Sequence, residues 1–236
     1  MTELLYQHDA YVKVFDAVVT DVSEHGVVLD TTAFFPSGGG QPCDYGTLRS
    51  KDQLWSVTQV SKVTGEIWHQ LQGELPSVDV QVKGEIDWER RYQLMRTHTA
   101  MHILCGVIWR DYRASVTGGN MQPLRGRMDF EFETMRRELV DEIEEKINLE
   151  VVAARIVKIQ FLSREEAFKI PDLIRTKINL LPPSIQIVRV VEIEGLDLQA
   201  DGGTHVANTE EVGEIRIVDY KSKGAINKRL MVELEG

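Results

Sequence analysis

A chain of 236 residues, 42% of them hydrophobic and 27% charged, is long enough to bury one large core or two smaller ones, and two is the expectation. Aspartate and glutamate outnumber lysine and arginine by 37 to 27, and the resulting net charge of −10 argues against a nonspecific nucleic-acid binder, though not against a locally basic groove, since salt limits each charge's reach to about 8 Å. No stretch approaches the roughly 18 apolar residues of a membrane span, the first residues carry no leader pattern, and the two cysteines, Cys43 and Cys105, make no disulfide framework; a cytoplasmic protein with free thiols and no membrane association is expected.

Residues 1–87 read as β. Residues 11–19 mix β-branched, aromatic and polar side chains, Glu24-His25-Gly26 offers a turn, and residues 27–30 resume an apolar run. Further strand-like runs at 46–49, 54–60, 66–71 and 78–82 are divided by polar or Gly/Pro turns, a spacing that predicts a small antiparallel β-barrel. Between the early strands lies Thr31-Thr32-Ala33-Phe34-Phe35-Pro36-Ser37-Gly38-Gly39-Gly40-Gln41-Pro42. Three successive glycines offer no packing, so Gly38, Gly39 and Gly40 form either a plain surface loop or a backbone surface held against a ligand, with Thr32 and Gln41 supplying polar contacts. His8, His25 and His69 have no partner pattern and default to structural roles.

Residues 88–236 mix helices and strands, so the whole chain is expected to be α+β: the barrel, then an α/β metal-binding domain. Asp87 is a plausible cap for a helix over 88–112, apolar nearly all round and therefore buried on more than one side. Within it His98 and His102 are four apart, which places both imidazoles on one face, one turn apart. Two buried histidines bonded to carbonyls would explain such a pair equally well. Asp201-Gly202-Gly203-Thr204-His205 changes the balance, because its two glycines permit a tight turn that aims Asp201 and His205 at one point. Together these four residues suit a metal ion, with zinc first. Cys105 shares the helix face, but three ligands along one straight helix close poorly on a tetrahedral ion, so Cys105 is assigned to the core.

Beyond the helix, strands are expected at 128–132, 155–162, 185–193, 214–220 and 230–234, and helices at 134–149 and 164–169. The segment from Lys221 to Arg229 is the most basic in the chain; it is either a solvated hairpin tip or a seat for phosphates through Lys221, Lys223, Lys228 and Arg229.

Taken together, Phe34-Phe35-Pro36-Ser37-Gly38-Gly39-Gly40-Gln41, His98-Thr99-Ala100-Met101-His102 and Gly202-Gly203-Thr204-His205-Val206 resemble the signature of alanyl-tRNA editing domains, most closely the free-standing AlaX proteins of medium length. The resemblance covers nearly the whole chain. It implies hydrolysis of the ester joining serine or glycine to the terminal adenosine of alanine tRNA, with alanyl-tRNA spared. Such a second site is needed because a pocket built for alanine cannot strongly exclude glycine, nor reject serine by size. It also implies Zn2+ held by His98, His102 and His205, an editing-pocket role for Gln41, and tRNA charged with serine or glycine as partner. At Asp201 the family commonly has a cysteine; here the carboxylate is either the fourth ligand or a neighbour that orients a water at an open position. Thr99 stands where a His-Glu-x-x-His protease has its glutamate, which makes a peptidase reading poor. The alternative reading is a tRNA-binding module of the same fold without hydrolysis.

Overall fold

The computed structural model describes residues 2–171, 173 and 185–236. The chain forms two compact units, Met1–Tyr92 and Gln93–Gly236. The division falls inside a helix, where the sequence pattern places it just before that helix begins.

The first unit opens with β1 (Glu3–Leu4), followed by β2 (Val14–Ser23), β3 (Gly26–Leu29), β4 (Thr31–Thr32), β5 (Gly46–Arg49), β6 (Leu54–Val63), β7 (Glu66–Leu71) and β8 (Gln81–Ile86). Six of these close into an antiparallel barrel in the order β2-β3-β7-β6-β5-β8, as the strand spacing predicts. Closure leaves no exposed sheet edge, and alternate residues point inward. Phe15, Ala17 and Val19 from β2 meet Trp55, Val57 and Val60 from β6 in the core. The last strand starts later than its apolar run, because Asp79 takes φ 69° and breaks the extended backbone ahead of Gln81.

One polar knot is buried at the barrel's end. Arg91, fully buried, donates through Nε to both carboxylate oxygens of Asp44 at 2.9 and 3.1 Å, and its Nη2 pairs with Asp44 as well. It also donates to the carbonyls of Ala10, at 2.9 Å, and Ala33, at 2.5 Å. Asp44 in turn accepts from the Phe35 amide at 2.6 Å. One ion pair thus ties the N-terminal segment to both flanks of the glycine stretch.

Helix α1 (Trp88–Tyr112) has the expected bounds, and Asp87 Oδ1 accepts from the Arg90 amide at 3.2 Å, the N-cap bond. In the second unit follow β9 (Val116–Gln122), β10 (Arg125–Glu131), α2 (Arg137–Val152), β11 (Val157–Ser163), α3 (Arg164–Ala167), β12 (Ile187–Ile193), β13 (Asp197–Ala200), β14 (Ile215–Ser222) and β15 (Asn227–Leu234). They form a four-stranded antiparallel sheet, β14-β15-β10-β9, and a three-stranded one, β11-β12-β13. Helix α2 packs on β14, burying Val140, Ile143 and Ile147. Strand β9 lies in a stretch to which the sequence pattern assigns no element. Its glycine has a packing reason: a Cβ at Gly119 would lie 3.2 Å from Met101 Cε, and one at Gly126 would lie 3.0 Å from Met101 Sδ, so small residues let α1 sit close on the sheet. No helix among the described residues is long and apolar enough to cross a membrane.

Candidate metal centre

Helix α1 carries His98 and His102 on the face turned toward the end of β13, and the loop after β13 brings Asp201 and His205 to them. The four ligand atoms, three imidazole nitrogens and one carboxylate oxygen, all lie within 4.8 Å of one another. Asp201 sits between the rings: its carboxylate is 3.5 Å from His98 Nε2, 3.9 Å from His102 Nε2 and 3.0 Å from His205 Nε2. The His98 and His205 rings stack with centroids 4.2 Å apart, while His102 meets His205 edge-on at 4.7 Å. This is the convergence that the sequence predicts from two separated motifs.

Each group is held by further contacts. Asp201 Oδ1 accepts from the Gly203 amide at 2.6 Å, an Asx-type turn that the two-glycine loop allows, and the Asp201 carbonyl accepts from Arg189 Nη1 at 2.9 Å. Thr99 bridges: its hydroxyl lies 3.4 Å from His205 Nδ1 and accepts from the Val206 amide at 3.2 Å. His102 Nδ1 donates to Asp197 Oδ2 at 2.9 Å. Asp197, Thr99 and Arg189 were not anticipated. Asp197, Gln199 and Asp201 alternate along the chain, a strand pattern that would have exposed them had β13 been assigned.

The electrostatics suit a cation. Burial pushes His98 down to about 4, only partly offset by Asp201, and burial together with the neighbouring rings pushes His205 well below its ordinary value. Burial acts in the same sense on His102, but hydrogen bonds and charge from Asp197 and Asp201 outweigh it and raise the ring to about 9. Burial alone would raise the Asp201 carboxyl; the surrounding imidazoles hold it well below the usual carboxylate range. Of the three rings, His102 is the one whose protonated form the two carboxylates favour. A divalent ion would take the place of that proton, with three neutral imidazoles and a carboxylate as its donors. Cys105 stays outside this group; it is buried, and its Sγ accepts from Gln199 Nε2 at 3.3 Å.

In the first unit, Gly38 and Gln41 exchange backbone hydrogen bonds at 3.0 and 2.9 Å around Gly39 and Gly40, which have φ 59° and 90°. The three glycines therefore make a tight turn of the kind that needs two left-handed residues, with Gly38 and Gly39 exposed. The Gln41 side chain is buried. Thr32 is fully buried and bonded to His69 Nε2 at 2.8 Å. His69 Nδ1 meets the Val27 carbonyl at 3.2 Å and must donate there, so Nε2 accepts and the Thr32 hydroxyl donates. The same hydroxyl accepts from the Phe34 amide at 3.1 Å. His69 is thus a structural histidine with a specific partner, and Thr32 is oriented by it.

Burial holds His69 down at about 4, with the Val27 bond acting weakly in the opposite sense. A histidine whose pKa is lower folded than unfolded binds its proton more readily when unfolded. Its neutral form costs nothing above pH 6.5, and stability is lost as pH falls from about 6.5 toward 4, by about 2 to 3 kcal/mol at pH 4.5. Urea titrations at pH 7 and 4.5 should show a loss in the wild type that exceeds the loss in His69→Gln by about 2 to 3 kcal/mol, the contribution of the buried His98 and His205 being common to both proteins; equal pH slopes in the two proteins would refute the assignment.

The basic tail is arranged differently from the simple phosphate seat. Lys228 is buried, and its ammonium donates to the carbonyls of Gly224, at 3.0 Å, and Ala225, at 2.8 Å, which braces the β14–β15 turn. Arg229 forms a two-pronged pair with Asp129 at 2.7 and 2.8 Å, across the β10–β15 ladder. Lys221 and Lys223 remain exposed, beside Asp219 at 2.8 Å and Asp129 at 3.8 Å.

Comparison with known proteins agrees with this geometry. Residues 7–90 match the model of class II (A) tRNA synthetases, and residues 188–231 match the second additional domain of threonyl- and alanyl-tRNA synthetases. The chain is 43% identical over 235 residues to the alanyl-tRNA editing protein AlaX-M of Saccharolobus solfataricus, covering 98% of both chains. The chain belongs to the AlaX-M family. A second AlaX-M protein, from Methanosarcina barkeri, is 39% identical with 99% of each chain covered. The alanine–tRNA ligase of Ignicoccus hospitalis is 39% identical over 93% of this chain but only 24% of its own length. The AlaX-M match runs through both units, so it includes the glycine turn as well as the metal centre.

Proposed function

We propose that this protein hydrolyses the ester of tRNA(Ala) mischarged with serine, and with glycine, and spares alanyl-tRNA(Ala). The observation that carries the reading is the convergence of His98, His102, Asp201 and His205 in a chain that matches AlaX-M proteins end to end. Zn2+ is the proposed ion, since three imidazoles and one carboxylate are borderline donors of the kind it prefers, and tetrahedral ligands about 2.0–2.2 Å from zinc stand roughly 3.4 Å apart, near the spacing of this group. When bound, zinc supplies positive charge for an ester carbonyl or for the amino group of the aminoacyl moiety.

The remaining work falls to the chain's own groups. Asp201 is proposed as the anionic ligand, held by the Gly203 amide and presenting its other oxygen to the His98 side. Gln41 is proposed to answer the serine hydroxyl, while Thr32, whose hydroxyl is taken up by His69 and the Phe34 amide, is proposed to act by holding its own segment in place; a methyl group offers nothing to such a polar side chain, and leaving a buried polar atom unpaired costs about 1–3 kcal/mol. Gly38, Gly39, Gly40, Lys221 and Lys223 are proposed contacts for the tRNA, the first three through backbone and the two lysines through phosphate.

Deacylation tests the reading. Purified protein should release serine and glycine from tRNA(Ala) rapidly and alanine slowly, with rates that fall steeply as salt rises, because phosphate contacts release counterions. Loss of neither serine nor glycine from folded, zinc-loaded protein would make a tRNA-binding module the better description.

A further inference from the structure

Strand β13 and the residue after it present Asp197, Gln199 and Asp201 on one face, because successive side chains of a strand alternate. Only Asp201 belongs to the group of four around the candidate metal position. Asp197 is wholly buried as a side chain and accepts from two donors on the same oxygen: His102 Nδ1 at 2.9 Å and Gln199 Nε2 at 2.7 Å. A carboxylate oxygen only accepts, so the proton of the neutral His102 ring is on Nδ1 and the lone pair is on Nε2, the atom 3.9 Å from Asp201. His102 is therefore gripped from one end by the first residue of the strand and faces the residue that follows its end.

This grip needs the strand to lie close against α1, and the helix is shaped for it. Gly106 is one turn beyond His102. A Cβ there would lie 2.9 Å from Leu196 Cγ, 3.1 Å from Asp197 Cβ and 3.1 Å from the Leu196 carbonyl oxygen. A larger residue would push away the very segment that carries Asp197. The Gln199 amide adds the last constraint, spanning from Asp197 to Cys105 Sγ on the helix.

We propose that Asp197, oriented by Gln199 and brought close by Gly106, is a positioning residue that sets the His102 tautomer and ring direction and thereby the affinity of the site for its metal. The inference rests on the metal reading above and goes beyond it, since Asp197 lies outside the four residues whose ligand atoms converge. Partners of this kind, one bond behind a ligating histidine, are worth roughly 10- to 100-fold in metal affinity.

The test uses the full chain and Zn2+ as probe, with a chromophoric chelator in competition and one- and two-bond 1H–15N correlations of the histidine rings in the zinc-loaded protein. Asp197→Asn keeps the shape but can offer either an acceptor or a donor to Nδ1. Its zinc affinity should fall at least tenfold, and the slowly exchanging Nδ1–H of His102 should broaden or vanish. Gln199→Leu leaves Asp197 in place and guards against a folding defect in the first variant; its affinity should fall about threefold to tenfold. Wild-type affinity, within twofold, in a folded Asp197→Asn or in Gln199→Leu with an unchanged Nδ1–H signal would overturn the proposal while leaving the metal reading intact. Failure of the wild type itself to bind zinc would overturn both.

Discussion

Replacing His205 with alanine is expected to lower zinc affinity by roughly two orders of magnitude and to reduce seryl-tRNA(Ala) hydrolysis to the level of chelated enzyme. The size follows from dividing about 12 kcal/mol of binding among four ligands, which gives about 3 kcal/mol for each. His205 is the informative choice, because it has the least redundancy: it stacks on His98 at 4.2 Å, lies 3.0 Å from Asp201 and is steadied through Thr99. Asp201→Ala should weaken binding by a comparable factor, since it removes the single anionic member of the group. Metal content after dialysis, and affinity by chelator competition, read both variants, with circular dichroism as the check on folding. Full zinc affinity in Asp201→Ala would assign that carboxylate to orienting water. Full affinity in an inactive His205→Ala would turn His205 into a proton-transfer group and remove it from the ligand set.

Replacing Asp44 with alanine should destabilise the first unit by about 3 to 5 kcal/mol, the cost of leaving a buried guanidinium without its counter-charge. The geometry supports the upper part of that range. Arg91 and Asp44 are both fully buried, Arg91 also holds the carbonyls of Ala10 and Ala33, and Asp44 holds the Phe35 amide. Loss of the carboxylate thus leaves the Arg91 guanidinium without its counter-charge and the Phe35 amide without this acceptor. Urea unfolding followed through Trp55 and Trp68, both buried, measures the change. The double variant Asp44→Leu with Arg91→Met should recover only part of the stability, because it removes the orphaned charge but leaves the carbonyls of Ala10 and Ala33 and the Phe35 amide without these partners. A single variant that unfolds within about 1 kcal/mol of wild type would mean that water reaches Arg91 and screens it.

How much of this was legible follows from the range of each interaction. The 25 residues of α1 were readable to the end, because Asp87 caps one terminus and the apolar pattern runs unbroken to the other. The barrel was readable from strand spacing, although Asp79 delayed the last strand by its left-handed backbone. Strand β9 was hidden, since Gly119 makes room for Met101 of the helix that packs over it and glycine carries no strand signal of its own. Strand β13 was hidden for a related reason: Asp197 and Gln199 are polar groups turned inward, so its alternation resembles a loop. Thr32 and His69 are 37 positions apart and become partners only when the barrel closes. Lys228 is part of a basic run in the sequence, but its ammonium folds back onto two carbonyls of the turn, a contact that only the closed hairpin creates.

By itself the sequence determined that His98 and His102 share one helix face, that Asp201 and His205 bracket a two-glycine turn, and that a β-rich segment precedes an α+β one. These are consequences of local geometry: 3.6 residues per helical turn, two per strand repeat, and the freedom of glycine. Only the tertiary structure decided which groups stand behind the candidate ligands, namely Asp197 and Thr99. It also decided that Lys228 and Arg229 brace the hairpin while Lys221 and Lys223 stay exposed. The physical reason is the same in each case. A buried polar group must find a partner, and sheet register and helix packing, not distance along the chain, decide which partner is within reach.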